Sequence, residues 1–355
     1  MVLPGRETGV RLWYNHGYSQ THDAVRLVKA AMPQAHIIVS HDRALAPARL
    51  AADEAHDEPA IDRSRPDGAA AYAQWCLEFA RQHGIDLFIV QRGRAAIAAS
   101  AAGFAAQGTR LALAAGPDQL ALIEDKAQFY AATAQAGLPT PAWEQVHDMA
   151  GFDAACARIS ALGHGLCIKP PRGVFAAGFF RLLNDGPLWP LLANRDAHAL
   201  PIATARAALA ELGDAMPPML VMQHLRGREW SIDCLCDRGR IVTGIARAKH
   251  DHWQAIGPIG PELKLAHQLA EQFRLHSLVN IQLKAASPGD ADPHVLEINP
   301  RMSGGIGYAA LAGVNLPALQ VRHALGMLDA QPVVPQAVRA AMIAQPMALP
   351  EPANG

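Results

Sequence analysis

In the last third of the chain, polar and apolar residues alternate one by one in two runs. In Val279-Asn280-Ile281-Gln282-Leu283-Lys284 the apolar side chains point one way, while Asn280, Gln282 and Lys284 point the other. In the second run Leu296 and Ile298 face the core, and Glu297 and Asn299 share the opposite face. This is the period of half-buried strands. Ser287-Pro288-Gly289-Asp290 supplies turn chemistry between them, so the pair reads as an antiparallel hairpin. A turn centred on Gly289 and Asp290 sets Gln282 across from Glu297. One carboxylate and two amide oxygens then converge on a small area. Oxygen-only ligation suits a hard cation such as Mg²⁺, completed by phosphates and water. Pro300 ends the strand, and Arg301 with Ser303-Gly304-Gly305 follows at its mouth.

The first third has a different rhythm. Strands are expected at Arg11 to Tyr14, His36 to Val39 and Asp86 to Val90. Between and after them come helices: one capped by Thr21 and stopped by Pro33, one from Gly68 to His83, and one following Arg94. Strands alternating with helices predict a parallel sheet of the Rossmann-like kind. Loops at the strands' carboxyl ends line the usual ligand crevice: Asn15 to Gln20, His41 to Arg43 and Gln91 to Arg94. The arginines there read first as solvated loop residues and secondly as holders of an anionic substrate. The first loop has a single glycine, so a dinucleotide fingerprint is absent.

Ala114 to Pro117 is the candidate domain boundary. Asp118 caps a predicted helix through Ala136 that ends at Gly137; taken alone, its Lys126 is an exposed helix lysine. Gly165 to Pro170 reads as a strand ending in Lys169. A loop of small residues from Pro171 to Gly178 follows, then a return strand from Phe179 to Leu183. A lysine beside such a loop can hold phosphate oxygens through charge and backbone N–H groups, although a plain hairpin explains the pattern as well. Further strands are expected at Pro218 to Leu225, Trp230 to Asp237 and Ile241 to Ala246, with a turn at Arg238-Gly239. Arg247 and Lys249 put two cations on one side of the extended segment that follows. A helix from Pro261 to Arg274 leads into the hairpin, and another introduced by Gly313 to Pro317 runs to about Leu328. The proline- and alanine-rich tail after Gln331 reads as a packed arm or a frayed end.

Composition narrows the function classes. A chain of 355 residues can build two or three cores. Lys and Arg number 31 against 32 Asp and Glu, which argues against a nucleic-acid or membrane surface built on bulk charge. No stretch interleaves basic and aromatic residues as single-strand binding requires. Five cysteines make no disulfide framework. Cys234 and Cys236 fall on one strand face without zinc-knuckle spacing, so they read as buried thiols in a reducing compartment. His250 and His252 lack a third ligand nearby. Met1 to Arg6 shows no secretory pattern, and Ala95 to Ala106 is too short to span a bilayer. A soluble cytoplasmic protein is expected.

Glu297-Ile298-Asn299-Pro300-Arg301, with Gln282 upstream, resembles the metal-binding end of the ATP-grasp superfamily. The match is closest to the branch holding the large subunit of carbamoyl-phosphate synthetase and stand-alone carboxylate–amine ligases. The resemblance implies an α/β and α+β chain. A Rossmann-like domain over 1–115 would precede an ATP-grasp fold over 116–330, whose two α+β subdomains grip the nucleotide, with a small lid at roughly 140–222. An arm or tail would occupy 331–355. It also implies that Lys126 and Lys169 contact the ATP phosphates and that Gly173 to Gly178 close over them. Met222, Gln223, His224 and Leu225 would read adenine through backbone groups, and Glu229 would meet the ribose. Gln282, Glu297 and Asn299 would carry one or two Mg²⁺, with Mn²⁺ as a substitute, and Arg301 would stand near the transferring phosphoryl group. Two departures from the family pattern stand out. The loop is poor in glycine, and His224 occupies a hinge position that commonly holds an acidic residue.

The activity implied is an ATP-dependent carboxylate–amine ligase working through an acyl phosphate and releasing ADP and phosphate. A phosphotransferase that stops at the phosphorylated product, and a non-catalytic ATP-binding regulatory protein, stay open beside it. Carbamoyl-phosphate synthesis is not expected, because that large subunit resembles two such modules in tandem. The partners implied are a small carboxylate and an amine, with no nucleic acid and no membrane. Members of the family often pair, which implies a homodimer. The substrates' identity lies in the loops near Asn15, Gln91 and Ser303, which sequence does not decode.

Overall fold

In the computed structural model the residues described are 9–17, 19–62, 65, 67–173, 177–184, 186, 189–193, 196–328 and 333–343, less the side chains of Ser19, Pro190 and Glu262. The expectations for Met1 to Arg6, for the middle of the loop at 174–176 and for the ends of the tail lie outside these residues.

Among the described residues the strands form three sheets. The first holds β1 (Arg11–Asn15), β2 (His36–His41), β3 (Glu54–Asp57), β4 (Leu87–Ile89) and β5 (Arg110–Ala112) in the order β3-β2-β1-β4-β5. Every pairing in it is parallel. Leu12 to Tyr14 and Ile37 to Val39 are buried on both faces, as a sheet covered on both sides requires. The helix expected after the first strand spans Ser19–Ala31, so Thr21 lies inside its first turn, buried, rather than at its cap. Glu-Ala-His-Asp at β3 carries too little apolar signal to be read as a strand from sequence.

The second sheet holds β6 (Trp143–Val146), β7 (Leu166–Lys169), β8 (Phe180–Leu183), β9 (Ala199–Pro201) and β10 (Met219–Gln223) in the order β6-β10-β7-β8-β9. The helix Met149–Ala161, capped where Asp148 accepts the Gly151 N–H, packs Phe152, Ala155 and Ile159 against Val146, Ile168 and Val221. The third sheet holds β11 (Glu229–Asp237), β12 (Arg240–Lys249), β13 (Gln254–Gly257), β14 (Ser277–Ala285), β15 (Pro293–Asn299) and β16 (Val338–Ala340) in the order β15-β14-β11-β12-β13-β16. Part of the tail is thus a strand, pairing antiparallel with β13.

The chain divides into two compact units. One comprises 1–121, 230–282 and 298–355; its main core joins Leu12, Tyr14, Val25 and Ile37 to Leu235, Ile245, Ile256, Met302 and Ile306. The other comprises 122–229 and 283–297 and is centred on the second sheet.

Two local expectations are corrected. The helix expected from Asp118 to Ala136 is two, Pro117–Glu124 and Lys126–Gln135. Asp125 between them is extended, and its carboxylate accepts the N–H groups of Ala127 (3.1 Å) and Gln128 (3.2 Å). The carboxylate cap outweighs the continuous helical pattern there. On β15, Val295 is fully buried although it shares the side of Glu297, while Leu296 is only half-buried. Val295 donates its N–H to the Pro139 carbonyl (2.9 Å), so neighbouring chain covers that end of the polar face. Arg247, one of the two cations on the extended segment, lies buried within β12.

Candidate active site

In the second unit a carboxylate and two lysines come together. The cap at Asp125 starts its helix at Lys126, whose side chain is mostly withdrawn from solvent rather than exposed as a lone helix lysine would be. Its Nζ donates to the Gly173 carbonyl (3.1 Å) and lies 3.9 Å from Glu297 Oε2. Lys169 ends β7, held in register by β10 through Leu220. Its Nζ donates to the Tyr130 hydroxyl (3.1 Å). Tyr130, fully buried, donates in turn to the Leu296 carbonyl, one residue before Glu297. Burial pulls both lysines below the usual lysine range, while the charge of Glu297 opposes the shift in each. Two partly desolvated cations facing one carboxylate form a site that an anion with several charged oxygens can enter.

The residues that follow β10 serve partly as scaffold. Gln223 is buried; its N–H donates to the Ala142 carbonyl (2.8 Å), and its Oε1 accepts the Ala142 N–H (3.2 Å). The His224 N–H donates to Gly165 (2.7 Å). The backbone donors of these two positions are therefore engaged within the unit. Burial, followed by the charges of Lys284, Arg181 and Arg226, lowers the His224 imidazole to about 4. Leu225 is buried, and Glu229 meets Lys284 (3.3 Å) at the start of β11. In the small-residue loop, Gly178 has φ +72°, and a Cβ there would meet Pro170 Cδ at 2.9 Å, so glycine is required. A Cβ on Gly173 would make only ordinary contacts.

In the first unit the two predicted amide ligands are tied to a common residue. The amide nitrogens of Gln282 and Asn299 each donate to Asn280 Oδ1 (3.2 Å for both), which leaves the amide oxygens as the acceptor ends. Asn280 is fully buried and donates to Ser231 Oγ (2.9 Å) and Asp233 Oδ1 (3.2 Å). Asp233, also fully buried, pairs with Arg247 (3.1 Å) and accepts from the Ser303 hydroxyl (2.8 Å) and N–H (3.1 Å). Arg247 approaches Gly305 so closely that a Cβ there would stand 2.6 Å from the guanidinium. Arg301 is buried; its N–H meets the Asn299 carbonyl (2.7 Å), and its guanidinium donates to Met302 (3.0 Å).

The predicted residues thus fall into local groups: Lys126 and Lys169 with Glu297, Gln282 and Asn299 around Asn280, and Gln223 to Glu229 along the end of β10 and the start of β11. Sequence reasoning assigned no role to Tyr130, Lys284, Asn280, Asp233 or Arg247. The alternating pattern on β14 and β11 put Asn280 and Asp233 on strand faces, but their meeting depends on the pairing of two strands far apart in sequence. His250 stacks on Trp253 (4.0 Å between ring centres) and forms no metal-binding cluster among the described residues. Cys234 and Cys236 are buried with their sulfur atoms 3.8 Å apart.

Solved structures of similar fold include an ADP complex of N5-carboxyaminoimidazole ribonucleotide synthetase (15% identity, TM-score 0.67), covering 94% of this chain and 81% of that one. The L-amino acid ligase from Bacillus licheniformis aligns at 14% identity and TM-score 0.62, over 93% of this chain and 78% of that one. The biotin carboxylase domain of Hydrogenobacter thermophilus 2-oxoglutarate carboxylase, solved with MgADP and bicarbonate, aligns at 16% identity and TM-score 0.60, over 90% and 70%. The chain shares its fold with these structures. Residues 215–346 match the model of a family described as ATP-grasp in the biosynthetic pathway with Ter operon. No curated protein sequence matches the chain. Among the described residues no helix is long and apolar enough to cross a membrane.

Proposed function

We propose that this chain is an ATP-dependent carboxylate–amine ligase that phosphorylates a substrate carboxylate and passes the acyl group to an amine, releasing ADP and phosphate. The observation that carries the reading is Lys126 Nζ standing 3.9 Å from Glu297, with Lys169 held nearby through Tyr130. Lys126 and Lys169 bind the phosphates from two sides. Gln223, His224 and Leu225 flank the adenine, and Glu229, fixed by Lys284, takes the ribose hydroxyls. Gln282, Glu297 and Asn299 offer three oxygen donors of the kind Mg²⁺ prefers. A Mg²⁺ held by these three residues would supply positive charge to offset the negative charge of the phosphates. Arg301, whose N–H meets the Asn299 carbonyl, is assigned to the transferring phosphoryl group.

Phosphoryl transfer asks little covalent chemistry of the protein, so positioned cations supply most of the acceleration. Lysines already stripped of water lose less on meeting a phosphate than solvated ones would. The structures of similar fold support the reading, since they include a synthetase and a biotin carboxylase domain solved with ADP and an L-amino acid ligase. The test is a screen of carboxylate and amine pairs with MgATP, following ADP and the coupled product. ADP and phosphate release that requires both substrates, with an amide formed, supports the ligase. A phosphorylated product that accumulates without the amine assigns a phosphotransferase instead. ATP binding without turnover for any pair assigns a regulatory protein.

A further inference from the structure

We propose that Glu54, His56 and His83 form a binding site for a borderline divalent transition-metal ion, Zn²⁺ above all, within the first unit. Glu54 and His56 are two residues apart on β3, so their side chains leave the same face of this edge strand. His83 follows the helix Gly68–Gln82 as its C-terminal cap. Glu54 Oε1 lies 2.6 Å from His56 Nε2 and 3.5 Å from His83 Nδ1, and the imidazole rings are 4.4 Å apart. All three ligand atoms fall within 4.8 Å of one another. Metal–ligand bonds of about 2.0–2.2 Å can be reached from this spacing by side-chain rotation.

The two carboxylate oxygens of Glu54 divide their work. Oε2 accepts from His36 Nε2 (3.1 Å) and from the Arg11 guanidinium (3.3 Å), whereas Oε1 is turned to His56 and His83. Hydrogen bonding of the outer oxygen fixes a ligating carboxylate in the way supporting partners do at metal sites. Phe79 fixes the imidazoles: His83 stacks on it (4.2 Å) and His56 meets it edge-on (5.2 Å). Two imidazoles and one carboxylate favour Zn²⁺ or its neighbours over Mg²⁺, with water left to complete the coordination. None of these residues belongs to the lysine–glutamate cluster, so the role assigned is a clasp of β3 to the helix Gly68–Gln82. The other histidine cluster, His16, His41 and Asp42, is less suited. His41 Nδ1 accepts the Arg43 N–H (2.9 Å), its Nε2 faces the Gly17 carbonyl (3.0 Å), and the Arg92 cation lies against His16.

The test uses the full chain, freed of metal by chelator dialysis and without nucleotide, titrated with Co²⁺ and followed by visible absorption. The expected result is one Co²⁺ per chain with the intense bands of low coordination, bleached by Zn²⁺, and a melting temperature that Zn²⁺ raises. Replacing both His56 and His83 by alanine should abolish the bands. His83→Gln alone, on a part-exposed side chain, should weaken binding at least about tenfold with the circular-dichroism spectrum unchanged, and His36→Ala by about 10–100-fold. Absence of intense bands in the parent chain overturns the proposal. So does equal affinity in the folded His83→Gln variant, or loss of the bands on His41→Ala.

Discussion

Single side chains set the electrostatics of the lysine cluster. Tyr130 joins Lys169 to the backbone of β15 through one hydroxyl, at once donor to Leu296 and acceptor from the lysine. Tyr130→Phe keeps the ring and removes both bonds. It should cost about 1 kcal/mol in urea unfolding and raise the KM for ATP more than it lowers kcat. His224 gives a pH signature. Its folded value of about 4 lies below the ordinary 6.5, so the unfolded chain takes up the proton first. Stability from this group is complete above pH 6.5 and is lost as pH falls towards 4. His224→Gln should flatten the fall in stability across that window, measured by urea titration at successive pH values. An unchanged slope would show that other groups govern it.

At the scale of elements, the break at Asp125 decides where Lys126 stands. Asp125→Ala removes the cap on two N–H groups and should cost about 1 kcal/mol in thermal unfolding, with weaker nucleotide binding because Lys126 loses its fixed start. Sequence alone did not expose this break, because the apolar stripe from Leu120 to Tyr130 runs unbroken across it and Asp125 carries no flag of its own. The alternating residues of β14 and β15 were legible because a half-buried strand forces period two on its side chains. Burial of Val295 was not, since the covering segment at Pro139 is remote in sequence. Short or polar strands such as β3 and β16 escaped for a related reason: neighbours, not local pattern, hold them in their sheets. The same limit hid Asp233 and Arg247, whose pairing depends on antiparallel register between β11 and β12.

For the molecule as a whole, the first unit draws its core from distant parts of the chain. Leu12, Val25 and Ile37 pack in one cluster with Leu235, Ile256 and Ile306, so a fragment of residues 1–115 lacks much of the surface that buries its apolar side chains. Expressed alone, it should show no cooperative unfolding and should bind a hydrophobic dye; a sharp two-state transition would show an autonomous domain. The activity proposed for the chain rests on a carboxylate at 297 that couples a divalent ion to a nucleotide. Calorimetric titration of ADP into the parent chain and Glu297→Gln, each with and without Mg²⁺, tests this most directly. Mg²⁺ should tighten ADP binding to the parent at least about tenfold and have no such effect on the folded variant. Equal tightening by Mg²⁺ in both proteins, or no ADP binding to the parent, would contradict it.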